Sequence, residues 1–184
     1  MSKVIIVTGA PGTGKTFFVN RISTEFSLPV FAKDTIKEVL FETIDMTDRA
    51  FGKKLGAASF ELMYVIVEQL MCSGMTCVLE GNFDSQFASP ILNQLSKKYT
   101  CNFLQFNFFA DVDETVKRVK DRWESGERHK GHMDFKNYEL VKRYGGKIKP
   151  VHIKGELVEV DTTDFTIVNY DELTDKIKQF LEKK

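Results

Sequence analysis

The sequence predicts a three-layer α/β/α fold in which helices cover both faces of a parallel sheet of five strands. Two observations support this prediction. Short apolar runs rich in β-branched residues, typical of strands buried on both faces, alternate with longer stretches whose apolar residues recur at helical spacing. The chain has 184 residues, 42% of them hydrophobic, which is enough to bury a core, so we expect a single domain spanning residues 1–184.

Strands and helices alternate along most of the chain. Strands are predicted at 3–8, 29–32, 75–80, 101–109 and 157–161. Helices are predicted at about 15–26, 34–42, 48–72, 84–99, 112–123 and 134–144, and a closing helix carries Leu173, Ile177, Phe180 and Leu181. An apolar stripe expected to pack in the core is formed by Val112, Val116, Val119 and Trp123.

The most specific motif is GAPGTGKT at residues 9–16, which matches G-x-x-x-x-G-K-[ST] in full. Its glycines let backbone N–H groups turn toward a phosphate, and the following helix adds the positive end of its dipole. Lys15 is expected to reach the β- and γ-phosphates, and the Thr16 hydroxyl to bind Mg²⁺. The predicted nucleotide-binding residues here are Gly9, Ala10, Pro11, Gly12, Thr13, Gly14, Lys15 and Thr16. We therefore expect a P-loop NTPase fold with ATP and Mg²⁺ as cofactors, while the motif leaves the phosphoryl acceptor open.

Four segments together resemble a known group of enzymes. They are GAPGTGKT at 9–16, FAKDTIKE at 31–38, VLEGNF at 78–83 and RVKDRWESGERHKGH at 118–132. Their order and spacing resemble the small P-loop kinases of nucleoside-monophosphate-kinase-like fold, and within it the AAA_33 type, kin to polynucleotide kinase, chloramphenicol phosphotransferase and zeta toxins. The resemblance covers essentially the whole chain and implies transfer of a phosphoryl group from ATP.

The resemblance assigns roles to two carboxylates. In such kinases an aspartate after the second strand acts as the base or orienting group for the acceptor hydroxyl, and Asp34 is the matching residue. Glu80 ends the third strand where a Walker B acid would stand, so it is expected to help Thr16 hold Mg²⁺ or to orient the acceptor, with Asn82 assisting. Each carboxylate also has a structural alternative, because Asp34 could cap its helix and Glu80 the following turn.

A departure from the pattern bears on the acceptor. Nucleoside monophosphate kinases typically carry Asp-Gly-x-Pro-Arg after the third strand, whereas this chain has EGNFDS at 80–85 and no arginine there. A nucleoside monophosphate is therefore disfavoured as the acceptor, and a hydroxyl group fits better.

Positive charge is concentrated in residues 117–154, which carry +7 against −7 for the rest of the chain. The resemblance implies a lid at about 118–134 whose arginines reach the phosphates, for which planar guanidinium groups are well suited. Arg122 and Arg128 are predicted to contact the transferred phosphoryl group, and Arg118 the nucleotide. Pairing of Arg118 and Arg122 with acids on a solvated helix face remains the alternative.

The stretch ESGERHKGHMD at 124–134 allows three interpretations. A metal site is disfavoured because His129, His132 and Asp134 supply at most three ligands beside repulsive cationic residues. A solvated loop without a role is the second. The third, which we favour, is a lid that closes and excludes water, with His129 and His132 donating hydrogen bonds to phosphate or acceptor.

Together these features predict an ATP- and Mg²⁺-dependent kinase acting on a hydroxyl of a small metabolite, a nucleotide-like compound or a nucleic acid 5′ end. Nucleic acid is the less favoured partner, because apart from Tyr138 and Tyr144 the basic segment lacks aromatic residues interleaved for stacking. The alternative is an ATP-binding regulatory or partner-dependent module. The sequence has no signal-peptide pattern or membrane-spanning run, so a cytoplasmic protein is expected. The segment DTTD at 161–164 is a weaker candidate for contacts to the adenine.

Overall fold

The computed structural model describes residues 1–44, 49–126, 128–132, 141–142 and 145–183. Its centre is a parallel sheet of five strands in the spatial order β2-β3-β1-β4-β5. The strands are β1 (Ser2–Gly9), β2 (Val30–Ala32), β3 (Thr76–Glu80), β4 (Cys101–Phe109) and β5 (Glu156–Asp161). The predicted fold class is therefore confirmed, and strand boundaries agree with the sequence pattern to within one residue.

In the part of the chain that the structure describes, six α-helices with assigned bounds connect and cover these strands. They are α1 (Lys15–Phe26), α2 (Lys33–Thr43), α3 (Arg49–Cys72), α4 (Ser85–Tyr99), α5 (Val112–Glu124) and α6 (Tyr170–Glu182). Three of them begin at side-chain caps, because Asp84, Asp111 and Asn169 accept hydrogen bonds from backbone N–H groups of the first helical turn. The predicted helix at 134–144 lies almost entirely outside the described residues.

The core consists of two apolar layers, one on each face of the sheet. Alternate residues of β1 point to opposite faces, so Val4 and Ile6 pack with α3 and α4 residues, while Ile5 and Val7 pack with α1 and α6 residues. All four side chains are fully buried. Each such side chain contributes roughly 1.5–3 kcal/mol to folding, so the central strand, which leads into GAPGTGKT, is firmly anchored.

Helix α3 is the longest element. Among the described residues its segment Ala50–Cys72 alone is long and apolar enough to cross a membrane by length and composition. Its Met63, Val67 and Met71 side chains are nevertheless buried in the core on one face of the sheet, which is how the core helix of a globular domain packs.

The order of the strands determines where a ligand can bind. The chain passes from β1 to strands on one side of it and then crosses to β4 on the other, so the connections diverge at the carboxyl end of β1. In open α/β sheets this divergence leaves a crevice at the carboxyl ends of the strands. The four segments singled out above all begin or end at this edge.

Candidate active site

The GAPGTGKT segment at 9–16, called the phosphate loop from here on, joins β1 to α1. Gly9 lies so close to β4 that a Cβ atom on it would be 2.1 Å from the Phe108 carbonyl oxygen. Gly14 is the N-cap of α1 with a left-handed backbone (φ 79°), a conformation that favours glycine. The loop therefore needs glycine at these two positions for reasons of packing and backbone geometry, and it presents the N-terminus of α1 to the crevice.

Side chains hold the interior of this loop. The Ala10 carbonyl oxygen accepts hydrogen bonds from the Lys15 ammonium at 2.7 Å and from the Thr13 hydroxyl at 2.8 Å. Burial lowers the pKa of Lys15 to about 8, an effect that the carboxylates of Glu80 and Asp34 oppose. The cation of Lys15 is thus fixed inside the loop, where a phosphate would compete with a single carbonyl for it.

Thr16 and Glu80 come together across the crevice. The Thr16 hydroxyl donates a hydrogen bond of 2.7 Å to Oε1 of Glu80. Glu80 is only 8% exposed, and burial raises the pKa of its carboxyl, against the opposing effects of the Thr16 hydrogen bond and the Lys15 charge. A hydroxyl and a carboxylate are the hard oxygen donors that Mg²⁺ prefers, and a cation would compensate the buried carboxylate. These two residues therefore fit the predicted metal site.

Asp34 is the second residue of α2, directly after β2. The helix begins at Lys33 with Ala32 as its N-cap and no side-chain capping bond, so Asp34 is not the capping residue that the structural alternative required. Its carboxylate accepts a 2.9 Å hydrogen bond from the Lys33 ammonium and two 3.4 Å hydrogen bonds from the Arg128 guanidinium. Burial would raise the pKa of Asp34, but the charges of Lys33, His132 and Arg128 outweigh it and hold that pKa well below its usual range. Asp34 is therefore ionised at neutral pH.

The lid loop, residues 128–132, packs along α2 through three acid–base contacts. Asp34, Glu38 and Glu42 are four residues apart and so lie on one face of the helix. They contact Arg128, His132 and His129 respectively, with N···O distances of 3.4, 2.7 and 3.3 Å. The predicted lid residues are thus brought to Asp34, although His129 lies farther along the helix at Glu42. Asp134 lies outside the described residues.

Arg118 lies between the GAPGTGKT loop and the DTTD segment. Its guanidinium donates hydrogen bonds to the carbonyl oxygens of Gly12 (3.4 Å) and Thr163 (2.8 Å), and its Cζ atom is 3.9 Å from the centroid of the Phe165 ring. It also makes the expected i,i+4 ion pair with Glu114, at 3.8 Å. Arg118 therefore links α5 to both the phosphate loop and the DTTD segment.

A cavity of about 580 Å³ runs along the phosphate loop. The predicted residues that line it are Pro11, Gly12, Thr13, Gly14, Lys15, Thr16, Asp34, Glu80, Arg118, Arg122 and Arg128. Val119 and Trp123 line it as well, and none of the four stripe residues of α5 is fully buried. The expectation that this stripe packs in the core is therefore wrong, because α5 turns it partly toward the cavity. Arg122 is exposed at the cavity wall, and its charge acts to lower the pKa of Lys15.

A smaller space of about 60 Å³ adjoins Asp34. It is lined by Pro11, Lys15, Lys33, Asp34, Glu80, Gly81, Asn82 and Arg128. Asn82 is thus placed beside the two predicted carboxylates. The space lies between the loop lysine and Asp34.

Several lining residues were not predicted. Lys33 is bound to Asp34, while Phe17, Phe165 and Tyr170 form an aromatic wall of the larger cavity. Thr162, in the DTTD segment, does not line the cavity but is fully buried, and its one hydroxyl proton is shared between the carbonyl oxygens of Thr13 (3.1 Å) and Phe109 (2.9 Å), so it braces the phosphate loop from the end of β5. The position of DTTD after the last strand was the only sequence signal pointing to this region.

Comparison with solved structures identifies similar proteins. A protein from Chloroflexus aurantiacus J-10-fl described as a "putative kinase" superposes with a TM-score of 0.88 and 29% sequence identity, covering 98% of this chain and 96% of that one. A sugar kinase from Janibacter sp. HTCC2649 gives a TM-score of 0.56 at 10% identity, covering 99% and 95% of the two chains. A gluconokinase from Sinorhizobium meliloti 1021 gives 0.54 at 16% identity, covering 98% of both chains. No protein-family model matches the sequence, and no curated protein matches it either.

These similarities define the class of protein. The chain has the fold of the P-loop kinases that act on small molecules, as its four segments predicted. The kinase-like neighbours support a phosphotransferase.

Proposed function

We propose that this protein is an ATP- and Mg²⁺-dependent kinase that transfers the γ-phosphoryl group to a hydroxyl of a small metabolite or nucleotide-like compound. The observation that carries the proposal is the ionised carboxylate of Asp34 across a small space from Lys15 and Glu80. The alternative of a regulatory ATP-binding module requires no carboxylate facing the phosphate loop.

The contacts of each residue indicate its proposed role in binding ATP and Mg²⁺. The backbone N–H groups of the loop and the Lys15 ammonium would bind the β- and γ-phosphates. Thr16 and Glu80 would hold Mg²⁺, which when bound neutralises charge on the phosphate oxygens. Arg118 would bind the nucleotide beside Phe165. These residues would hold ATP next to the space beside Asp34.

On the acceptor side, Asp34 would accept a hydrogen bond from the hydroxyl and aim its oxygen at the γ-phosphorus. A loose phosphoryl-transfer transition state needs little basicity, so an aspartate with a low pKa suits an orienting role. Arg122 and Arg128 would offset negative charge that develops on the transferred group. Asn82 is proposed to hydrogen-bond the acceptor from the other side, and His129 to contact it only after the lid moves.

The small volume beside Asp34 favours a compact acceptor over a nucleic acid 5′ end. Similarity to proteins described as a sugar kinase and a gluconokinase makes sugars and sugar acids the first compounds to test.

A cytoplasmic location fits ATP as the phosphoryl donor, and we propose it together with the activity.

The test is ADP release from MgATP with the purified chain and a panel of sugars, sugar acids, nucleosides, nucleotide sugars, antibiotics and 5′-hydroxyl oligonucleotides. We expect at least one compact hydroxyl compound to raise ADP release more than tenfold above the rate with water, with a phosphorylated product detected by mass spectrometry. Stimulation by oligonucleotides alone would redirect the proposal to nucleic acid ends. A chain that binds ATP but is stimulated by no acceptor would contradict the kinase assignment in favour of a regulatory module.

A further inference from the structure

The ring of His132 is buried between two carboxylates of α2. The side chain is 1% exposed, with Nε2 2.7 Å from Oε1 of Glu38 and Nδ1 3.8 Å from Oδ1 of Asp34. Nδ1 has no hydrogen-bond partner among the described residues. Burying a polar nitrogen without a hydrogen-bond partner costs folding free energy. The position of Nδ1 near the carboxylate of Asp34 therefore suggests a role in the reaction.

The hydrogen bond to Glu38 determines which nitrogen carries the proton. A carboxylate only accepts, so Nε2 must be the donor. In a neutral imidazole the lone pair then lies on Nδ1 and faces Asp34. Burial lowers the pKa of His132, with Asp34 and Glu38 opposing and Arg128 and Lys37 reinforcing that effect. The neutral form is therefore the resting state at neutral pH.

Charged and titratable groups face His132 from two described elements. Helix α2 contributes Asp34, Lys37 and Glu38, and the lid loop contributes Arg128 and the ring of His129, whose centroid is 6.2 Å away. Two carboxylates thus flank the ring, while the cations lie around it. Burial and the cations resist protonation of the ring at rest, whereas the two carboxylates would stabilise an imidazolium formed when Asp34 passes on a proton and is ionised again.

Asp34 is a poor final acceptor for a proton. Its carboxylate is bound by Lys33 and Arg128, which favour the ionised form. A proton taken from an acceptor hydroxyl must therefore move on, and the unpartnered nitrogen of His132 is 3.8 Å from the same oxygen that Lys33 binds.

We propose that His132, held by Glu38, acts through Asp34 by receiving the proton that Asp34 takes from the acceptor. This inference rests on the proposed phosphotransferase function. As the acceptor oxygen bonds to the γ-phosphorus, the bond from that phosphorus to the β,γ-bridging oxygen breaks and ADP leaves with the electron pair. The hydroxyl proton passes to Oδ1 of Asp34 and then to Nδ1 of His132. The resulting imidazolium keeps its Nε2 hydrogen bond to Glu38 and later releases the proton to solvent.

The first test needs no turnover. The chain has three histidines, so NMR spectra of His129→Gln and His152→Gln assign the signals of His132. We expect His132 to be in the Nε2–H tautomer at pH 7.5, and its pKa to fall by about one unit in Asp34→Asn and also to fall in Glu38→Gln, because each substitution removes a neighbouring negative charge. A His132 pKa that is unchanged in Asp34→Asn would overturn the proposal, whatever the enzyme's activity.

The second test is the pH dependence of MgATP turnover, with the most effective compound of the panel or with water as the acceptor. In the wild type, kcat should fall at acid pH with the pKa of His132, because a protonated ring cannot receive another proton. His132→Gln should lower kcat about 10- to 100-fold at pH 7.5, lose this acid limb and leave the KM for ATP within twofold. The matched control is His152→Gln, an exposed histidine outside the site, which should behave as wild type.

Glu38→Gln is a second variant that keeps the test decisive if His132→Gln misfolds, because it leaves the buried imidazole ring in place. Its acid limb should move to lower pH with the fall in the His132 pKa. Wild-type and His132→Gln profiles that superimpose would overturn the proton-receiving role. Absence of any turnover in the wild type would instead contradict the proposed function, and the NMR result would still decide the link between Asp34 and His132.

Discussion

The phosphate loop and the contact between α2 and the lid loop form two sides of one crevice, but they are held together differently. The loop depends on local backbone geometry, with Lys15 and Thr13 bonded to a carbonyl three to five residues away. The lid loop is held to α2 by side chains that are 87 to 94 residues apart in sequence. Binding of ATP should therefore depend on the first region and phosphoryl transfer on the second, so substitutions can separate the two.

The largest effect is expected from removing the cation of the loop. Lys15→Ala deletes the ammonium that would bind the β- and γ-phosphates. In the wild type, ATP at about 100 times its Kd should stabilise the fold by about 2.7 kcal/mol, which is a rise in Tm of roughly 5–10 °C for a domain of this size. We expect this rise to disappear in the variant, as measured by thermal unfolding with and without ATP. A variant that is still stabilised by ATP to the same extent would show that the loop does not bind the nucleotide.

A smaller effect is expected at the boundary between the two regions. Glu80→Gln keeps the shape of the side chain and an oxygen for the Thr16 hydroxyl but removes the negative charge available to a cation. We expect the Mg²⁺ concentration for half-maximal turnover to rise about tenfold while ATP binding without Mg²⁺ is unchanged. The single tryptophan, Trp123, lines the cavity and provides a fluorescence signal for ATP binding.

The matched control for this substitution is Glu156→Gln. Glu156 pairs with lysines at the surface, away from the crevice, and its neutralisation should leave the Mg²⁺ dependence unchanged. Equal Mg²⁺ dependence in Glu80→Gln and the wild type would remove Glu80 from the metal site and leave it a role in orienting the acceptor.

The two regions also differ in how far the sequence could predict them. The strands, the loop and the place of Asp34 follow from short patterns, because apolar runs and glycine spacing encode local conformation. The prediction that the apolar stripe of α5 packs in the core was wrong, because helical spacing identifies an apolar face but not what that face contacts. Here Val119 and Trp123 line the cavity.

The contacts between α2 and the lid loop were only partly predictable, because a sequence pattern does not show which residues meet across the fold. The resemblance indicated that lid residues approach the site, but the pairing of His132 with Glu38 and of His129 with Glu42 depends on how the loop lies along α2. A signal was present in the sequence, because the acids at 34, 38 and 42 recur every fourth residue and a cationic run lies at 128–132. Thr162 lies in the DTTD segment, which the sequence indicated only by its position after the last strand, and Phe165 had no signal at all. Both reach the loop through the packing of β5 beside β4.

The central claim, that ATP binding and phosphoryl transfer are served by different regions, is tested most directly by Asp34→Asn. Calorimetric titration with MgATP should give a Kd within about threefold of wild type, because Asp34 lies outside the phosphate loop. Acceptor-dependent turnover, measured with the compound that the panel identifies, should fall at least about 100-fold. A variant that transfers at the wild-type rate, or that loses ATP binding together with transfer, would contradict the account.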